Sequence, residues 1–322
     1  MTNTTIETST GIPSLKIEPV GVTQPLTPGQ LVWRRFRKHR MALVGAVGII
    51  VLVLFVIVGS IVVPESAANN TDLIHRLQAP TGLHVFGTDS IGRDNFVRII
   101  YGGQISMIIG VLAVLLEITI GTVVGGVAAY IGGWVDALLM RFTEAMLSIP
   151  SLFLLIVLSK FLGHNIPTIN ILGRTFSGTV GIVILVIGLT AWMYLARIVR
   201  SNMLSLRELD YISAAKSLGA SKTRIFFTHL VPNTLGIIVV SATLGLANAI
   251  LTEAYVSFLG LGVQPPTATW GNMMEQAQSF MSQGAWWMWV FPSLFIVMVI
   301  LSVNLMGDGL RDAFDPHSGR HM

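Results

Sequence analysis

An uninterrupted apolar run at residues 41–63 restricts this chain to a small set of folds. The run holds 23 residues and no charged side chain. A helix rises about 1.5 Å per residue, so the segment can cross a hydrocarbon core of ~30 Å. The basic stretch at residues 33–40, WRRFRKHR, also resembles the start of a secretory signal peptide. The apolar run is longer than the ~7 to 15 residues of such a peptide, so we interpret it as a first transmembrane helix.

Five more apolar segments follow. Each is long enough to cross a membrane with some tilt, and they lie at residues 104–130, 137–162, 178–199, 234–262 and 286–307. Hydrophobic residues make up 52% of the chain and charged residues 11%, which is far more apolar than a soluble domain. The sequence therefore predicts an all-α integral membrane protein with six transmembrane helices. Cysteine is absent, which excludes disulfides and thiolate metal sites.

The placement of lysine and arginine predicts the orientation of these helices. If the N-terminus is cytoplasmic, 15 of the 20 basic residues fall on the cytoplasmic side, which follows the positive-inside rule. Both termini are therefore predicted to be cytoplasmic, and residues 1–30, rich in Thr, Pro and Ser, to be disordered. The predicted parts are a cytoplasmic tail at 1–40, the first helix at 41–63, an extracytoplasmic loop at 64–102, a five-helix core at 103–310 and a cytoplasmic tail at 311–322.

Local sequence features add detail to the predicted topology in three regions. Spaced apolar residues between Ile91 and Ile100 predict a short amphipathic helix in the second half of the outer loop, lying near the membrane surface. Pro150 predicts a kink in the third transmembrane helix. Gly121 and Gly125 form a small-xxx-small pattern, so we expect a neighbouring helix to pack closely there.

Three carboxylates lie inside apolar segments, at Glu117, Glu144 and Glu253. An ionised carboxylate costs at least ~2.5 to 3.5 kcal/mol at mid-depth, so such residues face a bundle interior or a wet cavity. Glu253 and Glu117 can contact a transported solute or form a structural hydrogen bond to a neighbouring helix, and the sequence leaves both roles open. Glu144 lies near the cytoplasmic interface, where a snorkelling or capping role is expected.

The chain lacks the sequence patterns of an energy-converting enzyme. No G-x-x-x-x-G-K-[ST] pattern occurs, so the chain is not predicted to hold ATP phosphates in that way. The seven histidines show no HExxH pattern, and His75 and His84 lie nine residues apart in the outer loop, so no metal site is predicted. We therefore predict no catalytic residues, and an energy source must be external or absent.

A polar and basic segment at residues 210–233 separates the fourth and fifth apolar runs. We predict a helix at 209–218, a break at Gly219, and a second helix at 221–230 that stops at Pro232. Ser at position 221 is the expected N-cap of the second helix.

One side of the first of these helices carries almost no side chain, because Ala214 and Ala215 lie there. Basic residues surround the bare patch, at Lys216, Lys222 and Arg224. A patch of this kind can enter a groove on another protein. The alternative is an ordinary solvated helical hairpin that carries positive-inside charges.

This segment resembles the EAA motif of ABC importer permeases, in which Glu-Ala-Ala is followed by Gly and then Pro at fixed distances. Ala214, Ala215, Gly219 and Pro232 stand at those distances, and Ser213 replaces the usual Glu. Four further stretches resemble the C-type permeases of peptide and nickel importers. They are FGTDSIGRDNFVRIIYGGQIS at 86–106, LSIPSLFLLI at 147–156, ILTEAYVSFLGLGVQPPTATWGNMM at 250–274 and GDGLRDAFDP at 307–316.

The resemblance implies the ABC importer permease fold and a transport function in the cytoplasmic (inner) membrane. It implies that a coupling loop at 200–233 docks on ATPase subunits through Asp210, Ser213, Ala214, Ala215, Lys216, Gly219, Ala220, Arg224 and Pro232. It also implies that the outer loop contacts a substrate-binding protein, for which we select Asp89, Arg93 and Asp94.

The implied partners are a second homologous permease, one or two kinds of cytoplasmic ATPase subunit, an extracytoplasmic binding protein and membrane lipid, with no nucleic acid. ATP and Mg would be bound by the ATPase subunits, and no cofactor by this chain. The expected cargo is a dipeptide or oligopeptide. Nickel or an oligosaccharide remains an alternative within the family, and an ion-coupled carrier using Glu117 or Glu253 is an alternative outside it.

Overall fold

The computed structural model of the chain describes residues 27–162, 167–171 and 174–315. Most of the predicted disordered tail and the last residues of the C-terminal tail lie outside this part. The elements, in chain order, are α1 (Pro28–Lys38), α2 (Arg40–Val62), α3 (Ser66–Asn69), α4 (Asn95–Ile131), α5 (Gly133–Leu147), α6 (Ser151–Leu162), β1 (Ile169–Ile171), β2 (Arg174–Phe176), α7 (Thr179–Arg207), α8 (Asp210–Ser217), α9 (Lys222–Ile225), a π-helical turn (Phe226–Leu230), α10 (Val231–Phe258), α11 (Trp270–Ala277) and α12 (Trp287–Phe314).

The long helices of the described chain confirm the predicted helical membrane fold. Helices α2, α4, α7 and α12, and the continuous stretch Lys222–Phe258 that includes α10, are each long and apolar enough to cross a membrane. The remaining predicted span, the third along the chain, corresponds to α5 and α6, which are long and apolar enough only together and meet at an angle of 84°. The cytoplasmic placement of the two termini stays a prediction.

The third predicted span is divided at the proline that was expected to kink it. Helix α5 ends at Leu147, and the amide of Ser148 closes its last turn by donating to the carbonyl of Glu144 at 3.0 Å. Pro150 has no amide hydrogen, and its ring disfavours helical geometry at the residue before it, so α6 starts afresh at Ser151. Beyond α6, strands β1 and β2 form a short antiparallel pair that the sequence did not predict.

The prediction of a separate amphipathic helix in the outer loop was wrong. The residues concerned are the first turns of α4, which starts at Asn95 and continues for 37 residues. Ile99 and Ile100 have no exposed surface, so they belong to the protein core and do not lie on a membrane surface. Gly102 and Gly103 separate them from the second apolar run in the sequence, but both glycines are helical and buried inside α4, so the two segments form one helix.

Helix α4 packs closely against α7, as the glycine spacing predicted. A methyl group at Gly121 would lie 2.9 Å from Cβ of Leu195, and one at Gly125 would collide with the carbonyl oxygen of Ala196. On the opposite helix, a methyl group at Gly188 would lie 2.6 Å from Cβ of Leu116. These small residues allow the two backbones to approach and bury the middle of the bundle.

Part of the predicted N-terminal tail is helical. Helix α1 starts with a capping box, in which Thr27 and Gln30 each accept from the other's backbone amide. Phe36 is buried, and Nη1 of Arg35 donates to the carbonyl oxygen of Asp315 at 2.7 Å. Helix α1 is therefore fastened to the end of α12.

Candidate functional site

The first helix of the coupling loop, α8, ends in a complete Schellman motif. The amide of Gly219 donates to the carbonyl of Lys216, and the amide of Ala220 donates to the carbonyl of Ala215, both at 3.0 Å. Gly219 has φ of +83°, a conformation that glycine adopts without steric cost. The predicted break at Gly219 is thus a sharp and fully hydrogen-bonded reversal of the chain.

The second half of the loop does not stop at Pro232. Ser221 caps α9 by accepting from the amide of Arg224 at 3.3 Å, as expected. The chain then passes through the π-helical turn Phe226–Leu230 directly into α10, with Pro232 in the first turn of that helix. Proline removes one amide and crowds the carbonyl four residues before it, and a widened turn accommodates both effects. The prediction of a stop was therefore wrong.

Buried apolar side chains anchor the loop to the bundle. Ile212 of α8, Ile225 of α9 and Leu230 of the π-helical turn have at most 5% exposed surface, and they belong to one cluster with Met203 of α7 and Ile238 of α10. Helix α8 is therefore packed directly on the neighbouring ends of α7 and α10.

Hydrogen bonds fix the same loop to the end of α4. Nη1 of Arg207 donates to the carbonyl oxygen of Ala129 at 2.7 Å. The hydroxyl groups of Tyr130 and Thr223 lie 3.0 Å apart and share a hydrogen bond. The loop is thus connected to three of the long helices.

The opposite side of the loop is open. Asp210, Ser213, Ala214, Lys216, Gly219, Arg224 and Pro232 are exposed, while Ala215 and Ala220 are half-buried. The sequence prediction missed three large apolar residues on this surface. Leu218 is 89% exposed, Phe227 65% and Tyr211 43%. Their presence in an otherwise polar loop was the available signal, since large exposed apolar side chains in such a loop are candidates for contact with a partner. We call these three residues and Ala214 the coupling surface.

The residues selected for binding-protein contact build a tight turn in the outer loop. Asp89 is 2% exposed, and its carboxylate accepts from the amide of Ile91 at 3.0 Å and from Nε of Arg93 at 2.6 Å. Asp94 caps α4 by accepting from the amide of Phe96, and its other oxygen lies 2.7 Å from Nδ1 of His84. These side chains face inward, and their contact with a binding protein stays a prediction.

The first part of the outer loop folds back onto this turn. Gly92 has φ of +82° and lies so close to the backbone carbonyl of Asp72 that no side chain would fit. The amide of Leu77 donates to the carbonyl of Asp89 at 2.9 Å. A hydrogen bond from His75, whose Nδ1 lies 2.7 Å from Oδ2 of Asp72, lowers the pKa of Asp72.

A second buried arginine joins the turn to α11, and sequence reasoning missed it. Arg98 is 1% exposed, and its Nε lies 3.9 Å from the Asp89 carboxylate. Arg93 and Arg98 both donate to Oε1 of Gln276 in α11, at 2.9 and 3.4 Å. One carboxylate and one amide oxygen therefore hold two guanidinium groups inside the protein. The position of Arg98 four residues after Asp94 in the family-like segment 86–106 was the available signal.

Glu253 is at the centre of a buried polar cluster. Its carboxylate has no exposed surface and accepts from Oγ of Ser106 at 2.9 Å and from Oγ of Ser257 at 2.7 Å. Oγ of Ser106 in turn accepts from the amide of Trp270 at 3.3 Å, and Oγ of Ser257 from that of Val263. These contacts fit the structural alternative, because they join α4, α10 and the segment that follows α10.

The other two intramembrane carboxylates have different surroundings. Glu117 is half-buried on α4 and lies against Gly245 of α10, where a methyl group would come within 2.9 Å of its Oε2. Glu144 is 53% exposed, and its Oε2 lies 3.2 Å from Nη1 of Arg141. The interfacial position of Glu144 stays a prediction. A role in solute contact stays open for Glu117.

Known proteins with similar sequences place the chain in a family. Residues 118–320 match the model of the binding-protein-dependent transport system inner membrane component, and residues 27–80 match the N-terminal transmembrane domain of oligopeptide transport permease C. The dipeptide transport system permease protein of Bacillus subtilis is 37% identical over 89% of this chain and 85% of its own length. The corresponding dipeptide permease of Alkalihalophilus pseudofirmus is 38% identical over 90% of both chains. The oligopeptide transport system permease protein of Haemophilus influenzae is 36% identical over 89% of both.

Both matched regions contain long apolar helices, so the family and the fold agree on a multi-pass protein of the inner membrane. The chain belongs to the family of inner-membrane permease components of binding-protein-dependent transport systems.

Proposed function

We propose that this chain is a permease subunit of an ATP-driven importer of dipeptides or oligopeptides. The coupling surface carries the proposal, because Leu218, Phe227 and Tyr211 expose apolar area on a loop that is anchored to the bundle. An ATP-driven permease without its own phosphate-binding loop would receive work from its ATPase through such a surface. The names of the similar permeases from three bacteria support peptides as the cargo.

In this proposal, α8 docks in a cleft of a cytoplasmic ATPase subunit. Ala214 leaves room for close contact, Leu218 enters the partner, and Lys216 and Arg224 lie at the exposed rim. ATP and Mg are bound by the ATPase subunits. Because the buried side of the loop is packed on α7 and α10, closure of two ATPases would pull the inner ends of these helices. This motion alternates the access of the pathway that the chain forms with a second permease.

The outer side of the chain would receive the cargo from a binding protein. The turn around Asp89 and the segment from Leu259 to Gln283 are connected through Gln276, so they form one outer unit. We propose that the exposed surface of this outer unit contacts the binding protein. Its buried arginines hold the surface in shape and do not bind the cargo.

Reconstitution tests the proposal. The chain, its second permease, the ATPases and the binding protein are placed in lipid vesicles, and ATP hydrolysis is measured with a peptide mixture, nickel or an oligosaccharide. We expect peptides to stimulate ATP hydrolysis. We also expect peptides to cross the vesicle membrane away from the side that holds the binding protein. Stimulation by nickel or an oligosaccharide alone would assign another cargo. Transport by this chain without ATPases, abolished by an uncoupler, would instead support an ion-coupled carrier.

A further inference from the structure

A polar cleft of about 830 Å³ opens beside α7, at the end of this helix that leads into α8. One face of α7 supplies most of its lining, because residues three or four positions apart lie on the same side of a helix. The lining includes Tyr194, Arg197, Arg200, Ser201 and Asn202. Glu144 of α5 and Ile237 of α10 close the other sides. The cleft therefore lies between three elements of the bundle.

Arg197 is the unpaired cation of this cleft. Nη2 of the neighbouring Arg200 donates to Oδ2 of Asp136 at 2.6 Å, and its Nε donates to the other oxygen of the same carboxylate. Glu144 is likewise paired with Arg141. Arg197 is exposed, and no carboxylate in the described part of the chain lies within ion-pair distance of it. The cleft thus has a free guanidinium group, which suits a bidentate contact with an oxyanion.

The depth of Arg197 agrees with the headgroup layer of a membrane. At ~1.5 Å per residue, Arg197 lies roughly 27 Å beyond the start of α7 at Thr179, close to the edge of a hydrocarbon core of ~30 Å. The cleft also has exposed aromatic and aliphatic lining, since Tyr194 is 67% and Ile198 44% exposed. Aromatic residues with a polar tip are typical of this boundary.

We propose that this cleft binds the phosphate of an anionic phospholipid, with Arg197 as its principal ligand. The hydroxyl of Ser201 lies one helical turn from Arg197 and can donate to the same headgroup. The acyl chains would lie along Ile198 and Met140. A basic pocket between helices on the cytoplasmic side is a typical headgroup site. The bound lipid would fill the space between α5 and α7 beside the coupling loop.

The test measures lipid bound to the whole transporter, with its second permease and ATPases. The complex is purified and exchanged into phosphatidylglycerol or phosphatidylcholine, and bound lipids are counted by native mass spectrometry. We expect tightly bound phosphatidylglycerol that is weakened about fivefold or more by Arg197→Ala, in line with the loss of one interfacial cation. Arg197→Lys should retain part of the binding, because it keeps the charge but loses the planar fork. Arg37→Ala, an exposed arginine of α1, is the matched control and should have no effect.

A second measurement does not depend on the stability of a variant. A photoactivatable phosphatidylglycerol is cross-linked to the wild-type complex, and labelled peptides are identified. We expect labels within 194–205, reduced by an excess of phosphatidylglycerol. Three results would overturn the proposal: unchanged binding in Arg197→Ala, equal binding of phosphatidylcholine, or displacement of the label by a transported peptide. The last result would assign the cleft to the transport pathway. None of these readouts requires active transport, so they are separate from the test of the proposed function.

Discussion

Oγ of Ser106 in α4 donates a hydrogen bond to Oε2 of Glu253 in α10 at 2.9 Å, with both side chains fully buried. The amide of Trp270 donates to the same hydroxyl oxygen, so the bond also fixes the start of α11. Two glycines permit this arrangement. A side chain at Gly262 or Gly271 would collide with Ser257, the second hydroxyl donor to the carboxylate. The cluster thus joins α4, α10 and the outer segment at one acceptor group.

Replacement of Glu253 should separate its role as an acceptor from any need for charge. Glu253→Leu leaves the Ser106 and Ser257 hydroxyl groups without their acceptor, at about 1 to 3 kcal/mol for each buried group. We expect a clear fall in the thermal unfolding temperature of the purified complex. Glu253→Gln keeps one oxygen acceptor, the carbonyl oxygen of the amide, and should retain transport and most of the stability. Glu144→Leu, at an exposed carboxylate, is the control and should change stability little.

Transport by Glu253→Gln would contradict an ion-coupling role for Glu253. A carboxylate that carries a coupling ion cannot be replaced by an amide without loss of transport. Full stability of Glu253→Gln together with loss of transport would therefore show that the charge is used, and the structural assignment would be wrong.

The backbone conformation of Gly219 gives a second prediction. Nothing lies within 4 Å of a methyl group built at Gly219, so Gly219→Ala is opposed by its φ of +83° and not by a collision. An alanine in this conformation costs about 1 to 2 kcal/mol, which should loosen the end of α8. We expect lower peptide-stimulated ATP hydrolysis. Gly284→Ala is a matched control, because Gly284 has φ of +79° and equal open space but lies beyond α11. Equal losses in both variants would argue against a coupling role.

Leu218 should contribute to partner binding and not to folding. Its side chain is 89% exposed, so Leu218→Ser removes almost no contact within the chain. Burial of a leucine in an interface is worth about 1.5 to 3 kcal/mol, and the affinity for the ATPase subunit should fall about ten- to hundredfold. Leu83→Ser is the control, since Leu83 is 88% exposed in the outer loop. Binding is measured by titration of labelled ATPase onto the purified permeases. Unchanged affinity in Leu218→Ser would remove Leu218 from the coupling surface.

Long apolar runs made the helical membrane fold predictable, because the cost of an unpaired backbone in lipid leaves few alternatives. The same reasoning located the helix break at Gly219, where only the backbone geometry of glycine satisfies the turn. It failed at Pro232, because a local rule for proline does not include the wider π-helical turn before it. It also failed at Ile99 and Ile100, where the alternation of apolar residues reflects packing inside the bundle and not a membrane surface.

The candidate site could be predicted only in part from the sequence, for a related reason. Residue type and spacing indicated which loop meets a partner, but exposure depends on how the loop folds back on α7. Leu218 and Ile212 are both aliphatic residues of one short segment, yet one is 89% exposed and the other fully buried. In the outer loop, Asp89 was selected as a contact residue because the family resemblance implies that this loop meets a binding protein. Its burial depends on Arg98 and Gln276, and the latter is distant in sequence.

The last prediction concerns the balance of charge around Asp89. Asp89→Asn leaves the guanidinium groups of Arg93 and Arg98 buried with no carboxylate beside them. Removal of one partner from a buried ion pair costs about 3 to 5 kcal/mol, so we expect low yield and a strongly reduced unfolding temperature. The control is Asp72→Asn, because the Asp72 side chain is 45% exposed, its ion pair is with the exposed His75, and asparagine can still accept from the amide of Ile74.

A double variant distinguishes this charge effect from a general disturbance of the turn. Arg98→Gln removes one of the two buried cations, so adding it to Asp89→Asn should restore part of the lost stability. The two single variants and the double variant are compared by thermal unfolding of the same purified complex. If the two losses simply add, Arg98 and Asp89 are not energetically coupled, and the outer turn is held by its backbone hydrogen bonds alone. Partial rescue would show that Asp89 acts mainly as the counter-charge that allows α4 to begin inside the protein.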